Sequence, residues 1–168
     1  MNPPLILGFR AGGAALALPL ALVREVRPRP PIVRVPGGHD HLAGVALARG
    51  MALPVYDLRR LPDLWAVGPA AGPGPEEHLI VCDWGETSVG LLGTAADLLD
   101  PSAMPPADEG ATSGGPRLRQ AYADGAWRAG AELVTFLNAA RLFASLGVPE
   151  AGLRDAGEGD GEDDPAGR

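Results

Sequence analysis

The stretch "GVALARGMALPVYDLRRL", Gly44 to Leu61, decides how this chain is read. Two apolar runs of strand length, "LAGVALA" and "ALPVYDL", flank Arg49-Gly50-Met51, and Gly50 supplies the positive φ that a tight turn needs. The pattern predicts a β-hairpin with an arginine at its tip and a second charged group, Asp57, Arg59 and Arg60, at its exit. An arginine on such a turn serves either catalysis or docking onto a protein partner.

The flanking sequence has the same style. Upstream, "LILGF" and "ALAL" are separated by Ala11-Gly12-Gly13 and read as another hairpin. "LVREV" places Leu22, Val23 and Val26 inward and Arg24 and Glu25 outward. Prolines 28, 30, 31 and 36 then force an extended path. "LRRLPDLW" closes the hairpin with one short helical turn. Downstream, "HLIVCDW" and "TSVGLLG" pair across Gly85-Glu86, and "AYADGAW" and "ELVTFLN" pair around Ala129-Gly130. "NAARLFASLG" reads as a short helix ending in Gly147. About eight short strands and at most two short helices mean a barrel or sandwich, a mainly β protein. Residues 66–77 and 100–116 read as linkers, and no strand signal is visible between Gly93 and Gly115.

Composition agrees. The 24 Gly and 18 Pro make up about a quarter of 168 residues, too many for a helical bundle. Cys82 is the only cysteine, so no internal disulfide can form and a reducing, cytoplasmic compartment fits best. No apolar run reaches the length of a membrane span, and the N-terminus lacks a secretory pattern. Direct membrane insertion is therefore not expected.

The net charge of −7 is concentrated at one end. Glu150 to Arg168 holds seven acids against Arg154 and Arg168, leaving the first 149 residues close to neutral. This tail has too little apolar surface to offset ordering entropy, and its composition predicts disorder. Nucleic-acid binding needs a basic face that this balance does not supply. The cluster Arg24, Arg27, Arg29 and Arg34 reads as the solvated edge of the Pro-rich connection.

Enzymatic constellations are thin. His39 and His41 are spaced for two ligands on a strand, with no third at suitable spacing. His78, beside Glu76 and Glu77 at a strand entry, reads as an exposed linker end. Cys82 within "LIVCDW" reads as a small buried thiol with no flanking base. No nucleophile elbow or phosphate-binding glycine loop is present. Asp57 and Arg59 read as a turn-closing pair. A small-molecule-binding or enzymatic β-barrel would have only Cys82, His78 and the histidine pair as material; a non-enzymatic adaptor is the other reading.

Four segments in order, "LGFRAGGAALALPLALVREVRPRPPIVRVP", "GVALARGMALPVYDLRRL", "HLIVCDWGETSVGLLG" and "AWRAGAELVTFLNAARLF", resemble the CheW-like domain of bacterial chemotaxis coupling proteins. The specific part is the L-R-G turn followed by P-V-x-D-L-R, with V-x-E-V upstream. The resemblance runs from about Leu5 to Gly147. It implies a pair of five-stranded SH3-like β-barrels, with short helical segments, in a domain of residues 1–149 that precedes the acidic tail at 150–168. The implied activity is scaffolding without catalysis, cofactor or metal, between the cytoplasmic tip of a methyl-accepting chemoreceptor and the regulatory domain of a CheA-type histidine kinase.

Carried over by position, the resemblance assigns Arg49 and Glu25 to partner contact, with Val23 and Gly44 beside them. Gly50 makes the turn, and Asp57 and Arg59 are structural. Three departures stand out. Leu47 replaces the asparagine that precedes the L-R-G turn in the family, and Ala48 replaces the leucine. Asn138 stands where an aspartate is usual. "TAADLLDPSAMPPADEG" replaces the usual continuation after "VGLLG", which predicts a second barrel with a short or missing edge.

Overall fold

The computed structural model describes residues 4–69, 77–108 and 115–149. The tail at 150–168, most of the first linker-like stretch and part of the second lie outside them. Two hairpins and a third strand open the fold: β1 (Ile6–Ala11), β2 (Ala14–Pro19), β3 (Val23–Pro28), β4 (Leu42–Ala48) and β5 (Met51–Tyr56). Then follow β6 (Trp65–Val67), β7 (His78–Trp84), β8 (Thr87–Leu99), β9 (Arg117–Leu118), β10 (Ala123–Ala129), β11 (Glu132–Leu137) and the helix α1 (Ala139–Ser145). The sequence led us to expect about eight strands. Eleven are present among the described residues, because short bridging strands carry no periodic signal.

The strands close into two five-stranded units. The first runs β4-β5-β8-β7-β3 and the second β10-β11-β2-β1-β8, so β8 belongs to both. Its first half pairs with β7 and β5, and its second half continues beside β1, setting Ile6 opposite Leu99 and Gly8 opposite Asp97. This corrects the expectation of a missing strand after Gly93. The "TAADLL" segment is that strand, hidden because it is bent at Ala95, which has φ 50°, and its register against β1 shifts there.

Three apolar clusters follow from strand alternation. Leu53, Val55, Leu79, Val81 and Leu92 fill the first barrel. Ile6, Ala15, Ala17, Met104 and Val134 fill the second. The largest cluster, including Phe9, Leu16, Leu18, Ile80, Leu91 and Phe143, is the seam between them. Along β7, Leu79 and Val81 point into the first barrel while Ile80 and Cys82 point into the seam. Burial on both faces explains why "HLIVCDW" reads as a continuous apolar run rather than as an alternating one. Gly90 lies where β8 crosses the first barrel, and a Cβ there would lie 2.5 Å from Leu79 Cδ1, so the packed Leu79 side chain would have to shift to admit it.

Helix α1 seals the seam. Asn138 caps it, its side-chain oxygen accepting from Arg141 N–H at 2.9 Å, and Phe143 stacks on Trp84 at 5.0 Å. The chain turns at Gly147, with φ 78°, and buries Val148. The single helical turn expected after β5 is two 3₁₀ turns, Leu58–Arg60 and Pro62–Leu64. Both expected linkers are partly structured: β6 pairs with β9, and Pro106 bridges to Trp127 on β10.

Candidate functional site

The β4–β5 connection is a two-residue turn in which Arg49 has φ 51° and Gly50 has φ 76°. Two successive left-handed residues match the right-handed twist of the flanking strands, the geometry of a type I′ hairpin. The strained member is Arg49, a residue that does not favour this region. Its side chain is 76% exposed and points back across the barrel, where Nε donates to Glu25 Oε2 at 2.6 Å.

Glu25 reaches that position through a bulge. Val23 lies opposite Cys82 but Glu25 lies opposite Val81, one register step displaced. The displacement overturns the expected orientation of "LVREV". Glu25 is half-buried, with a side chain 16% exposed, and Val26 is an exposed apolar residue. Glu25 thus shares a face with Arg27, whose Nη1 lies 3.6 Å from its other carboxylate oxygen. One carboxylate held between two guanidiniums, one of them fully presented, forms the polar centre of this surface. The guanidinium keeps spare donors for a further acceptor.

The adjoining strand and connection also expose apolar side chains. The chain after β3 returns to pair Val33 with Val45 on β4 through N–H···O bonds of 2.9 and 2.8 Å. Val33 is 71% exposed and Leu47 65% exposed, with Met51 beside the turn also exposed. Opposed residues of an antiparallel pair share a face, so Val33, Val45 and Leu47 line the outer side of the first barrel. Leu47 extends this strip.

The other sequence candidates separate from this centre. Val23 packs against the seam. Gly44 is buried beneath the returning chain, where a Cβ would lie 2.2 Å from the Val33 carbonyl oxygen, so its contribution is close backbone approach. Asp57 and Arg59 stand at the far end of β5, about 20 Å from the turn at strand rise. There Arg59 donates through Nε and Nη2 to the buried Asp57 carboxylate at 2.8 and 2.7 Å. The chain of charge continues through Glu77 to Arg29. Glu77, expected within the linker, has a side chain only 7% exposed, and His78 is the first residue of β7, the strand entry at which the sequence placed it. Its anchoring role was invisible in sequence because its partners lie 18 and 48 residues away. The arginine cluster is likewise not simply solvated: Arg24 pairs with Asp83 at 2.9 Å and Arg29 with Glu77.

The residues that would serve an enzyme do not converge. Cys82 is fully buried in the seam, and burial, aided by Asp83, pushes its thiol up to about 12. His39 and His41 stack in parallel at 5.3 Å, with His41 also against Tyr56. Among the described residues no group of three His, Cys, Asp or Glu is placed to hold a metal ion. An open cleft of about 940 Å³ lies on the second barrel, lined in part by Arg10, Asp124, Glu132 and Thr135, and none of the four candidates reaches it.

Comparison with known proteins places these features in context. The family model for the CheW-like domain matches residues 5–147. Among solved structures, the chain is similar to the scaffolding protein TtCheW from Thermoanaerobacter tengcongensis, with a TM-score of 0.63 and 19% identity over 83% of this chain and 86% of that one. No curated protein matches.

Proposed function

This chain belongs to the CheW-like domain family, and from that premise we propose that it is a non-enzymatic adaptor in a bacterial chemosensory array. Its partners are the cytoplasmic tip of a chemoreceptor and the regulatory domain of a CheA-type histidine kinase, which places it in the cytoplasm. Among the described residues no helix is long and apolar enough to cross a membrane.

The observation that carries the reading is the Glu25–Arg49 couple at a two-residue turn whose flanking strands expose Leu47 and Met51, with exposed Val33 bridged to Val45 on β4. An exposed arginine fork whose flanking strands also expose apolar side chains has the composition from which interface hot spots are built once a partner desolvates it. Replacing Arg49 by alanine keeps a Cβ in the same left-handed conformation, so the change isolates the guanidinium. The exposed ion pair is worth at most about 1 kcal/mol to folding. At a hot spot the same truncation costs about 2 kcal/mol of binding, roughly a thirtyfold loss of affinity.

The test is calorimetric titration of a soluble receptor-tip fragment into wild type and Arg49→Ala, with thermal melts of both. Weakened binding with a melting temperature within a few degrees of wild type supports the proposal. Unchanged affinity with collapsed stability would make Arg49 a structural residue and remove the site.

A further inference from the structure

The loop that leads into β4 is tied to the rest of the fold at His41. Residues 34–40, between the Val33 bridge and that histidine, are all exposed. Their own hydrogen bonds close short turns: Gly38 N–H donates to the Val35 carbonyl at 3.3 Å, and Leu42 N–H to the His39 carbonyl at 2.9 Å. His41 is half-buried and reaches two other elements. Its carbonyl accepts from Asp57 N–H at 2.9 Å, just past β5, and its imidazole is hydrogen-bonded to the Leu146 backbone at the C-cap of α1. One residue thus fastens the entry of the first barrel to the helix that seals the seam.

Three rings form a column there. His41 lies between His39, parallel to within 5° at 5.3 Å, and Tyr56 of β5 at 6.0 Å. Four groups face the His41 ring: His39 and Asp40 from its own loop, Tyr56 from β5, and the Leu146 backbone from the end of α1. Burial pushes the Tyr56 hydroxyl above its usual range, so Tyr56 stays neutral. Burial also opposes a proton on His41, and the charge of His39 opposes it next. The Leu146 bond favours the charged ring, which makes the imidazole its donor, and Asp40 favours that charge as well. The opposing pair is the stronger and holds His41 below the usual histidine value. Neutral imidazoles stack without electrostatic cost, whereas two imidazolium rings at this spacing repel.

We propose that the column of His39, His41 and Tyr56 is an acid-sensitive latch, which holds the loop against β5 and the end of α1 while the imidazoles are neutral and releases it when both are charged. Because the folded value of His41 is depressed, the hold is complete above pH 6.5 and declines as pH falls through that folded value. The bond to Leu146 survives protonation of its donor, so opening starts at the stack: exposed His39 swings into water, and His41 loses its cover. Release also frees the chain that carries exposed Val33 and weakens partner binding along that strip in acid; this consequence, unlike the latch itself, rests on the adaptor reading above.

Amide protection in the full chain, read by NMR and corrected for the intrinsic pH dependence of exchange, tests the latch without any partner. The reporters are the two amides whose acceptors belong to it, Asp57 on the His41 carbonyl and Leu42 on the His39 carbonyl. Between about pH 7.5 and about pH 5 their protection should fall at least about threefold, while Ile80 and Val81 of β7 keep theirs. His39→Gln, at an exposed position, removes the facing charge and should shrink the fall, leaving burial alone to act. His41→Gln should abolish the pH dependence. His78→Gln, at the remaining one of the three histidines, should leave it intact. No fall in the wild type, a fall undiminished in either His39→Gln or His41→Gln, a fall abolished in His78→Gln, or an equal loss in β7 would overturn the latch.

Discussion

Replacing Gly44 by alanine should cost about 3 to 4 kcal/mol. Its Cβ would stand 2.2 Å from the Val33 carbonyl oxygen and 2.7 Å from the carbonyl carbon, both backbone atoms that cannot rotate aside. The returning chain must lift, breaking the two bonds that join Val33 to Val45. Each is worth about 1 kcal/mol net. Gly44 also has φ 149°, a conformation that costs a residue with a side chain roughly 1 to 2 kcal/mol more. For a chain of this length each kcal/mol lowers the melting temperature by about 2 to 4 °C, so a fall of about 10 °C is expected in a circular dichroism melt. Gly50→Ala is the control, since a Cβ there meets nothing within 4 Å and only its φ of 76° is penalised. It should cost about 1 kcal/mol. Native-state hydrogen exchange should show the Val33 and Val45 amides losing protection in Gly44→Ala alone. Equal melting temperatures for the two variants, with Val33 and Val45 still protected, would refute the close-approach argument.

Three further outcomes are expected. Cys82, with its thiol pushed up to about 12 in the seam, should resist a thiol reagent at pH 8 until denaturant is added, and rapid native labelling would place it elsewhere. His41 should titrate below the ordinary 6.5, because burial and the neighbouring His39 together outweigh the raising effects of the Leu146 backbone and Asp40. Since its folded value is depressed, the stability tied to its neutral form is complete above pH 6.5 and declines as pH falls through the folded value. An NMR titration of its ring protons with a midpoint at or above 6.5 would contradict this. Finally, the leading half of β8, paired with β7 along its length and with β5 at Gly90 and Leu91, should be among the slowest segments in amide exchange, reversing what its sequence implied. Faster exchange over Thr87–Leu99 than over Gly44–Leu58 would restore the reading of a weak second barrel.

The hairpins were legible because their turns carry glycines at positive φ, Gly50, Gly85 and Gly130 among them, between apolar runs. The family motif was legible for the same reason, since it is built on one of those turns. What sequence missed depended on events without periodicity. The bulge at Arg24 shifts the alternation of β3 and exchanges the fates of Glu25 and Val26. The bend at Ala95 breaks β8 into two patterns, the second mixed because Asp97 and Leu98 sit on the rim. Glu77 looked like part of a linker because nothing local reveals an ion pair to Arg29 and Arg59. The positions of Glu25 and Arg49 came from the family's pattern, whereas their ion pair, and the exposed Val33 that returns to β4, became visible only in the fold.

The shared strand also orders events on the ribosome. The first barrel is assembled from β3, β4, β5, β7 and the leading half of β8, a nearly contiguous stretch that is complete once residue 93 has emerged. The second joins the two ends of the chain, and its parallel pairing of Ala15 with Val134 cannot form until the last strand is made. The β1–β2 hairpin must therefore wait, with the seam faces of Leu7, Phe9, Leu16 and Leu18 lacking their final cover, for most of translation. The barrel made first is also the template against which they can shelter, through the β8 segment that already carries the register of the barrel made last.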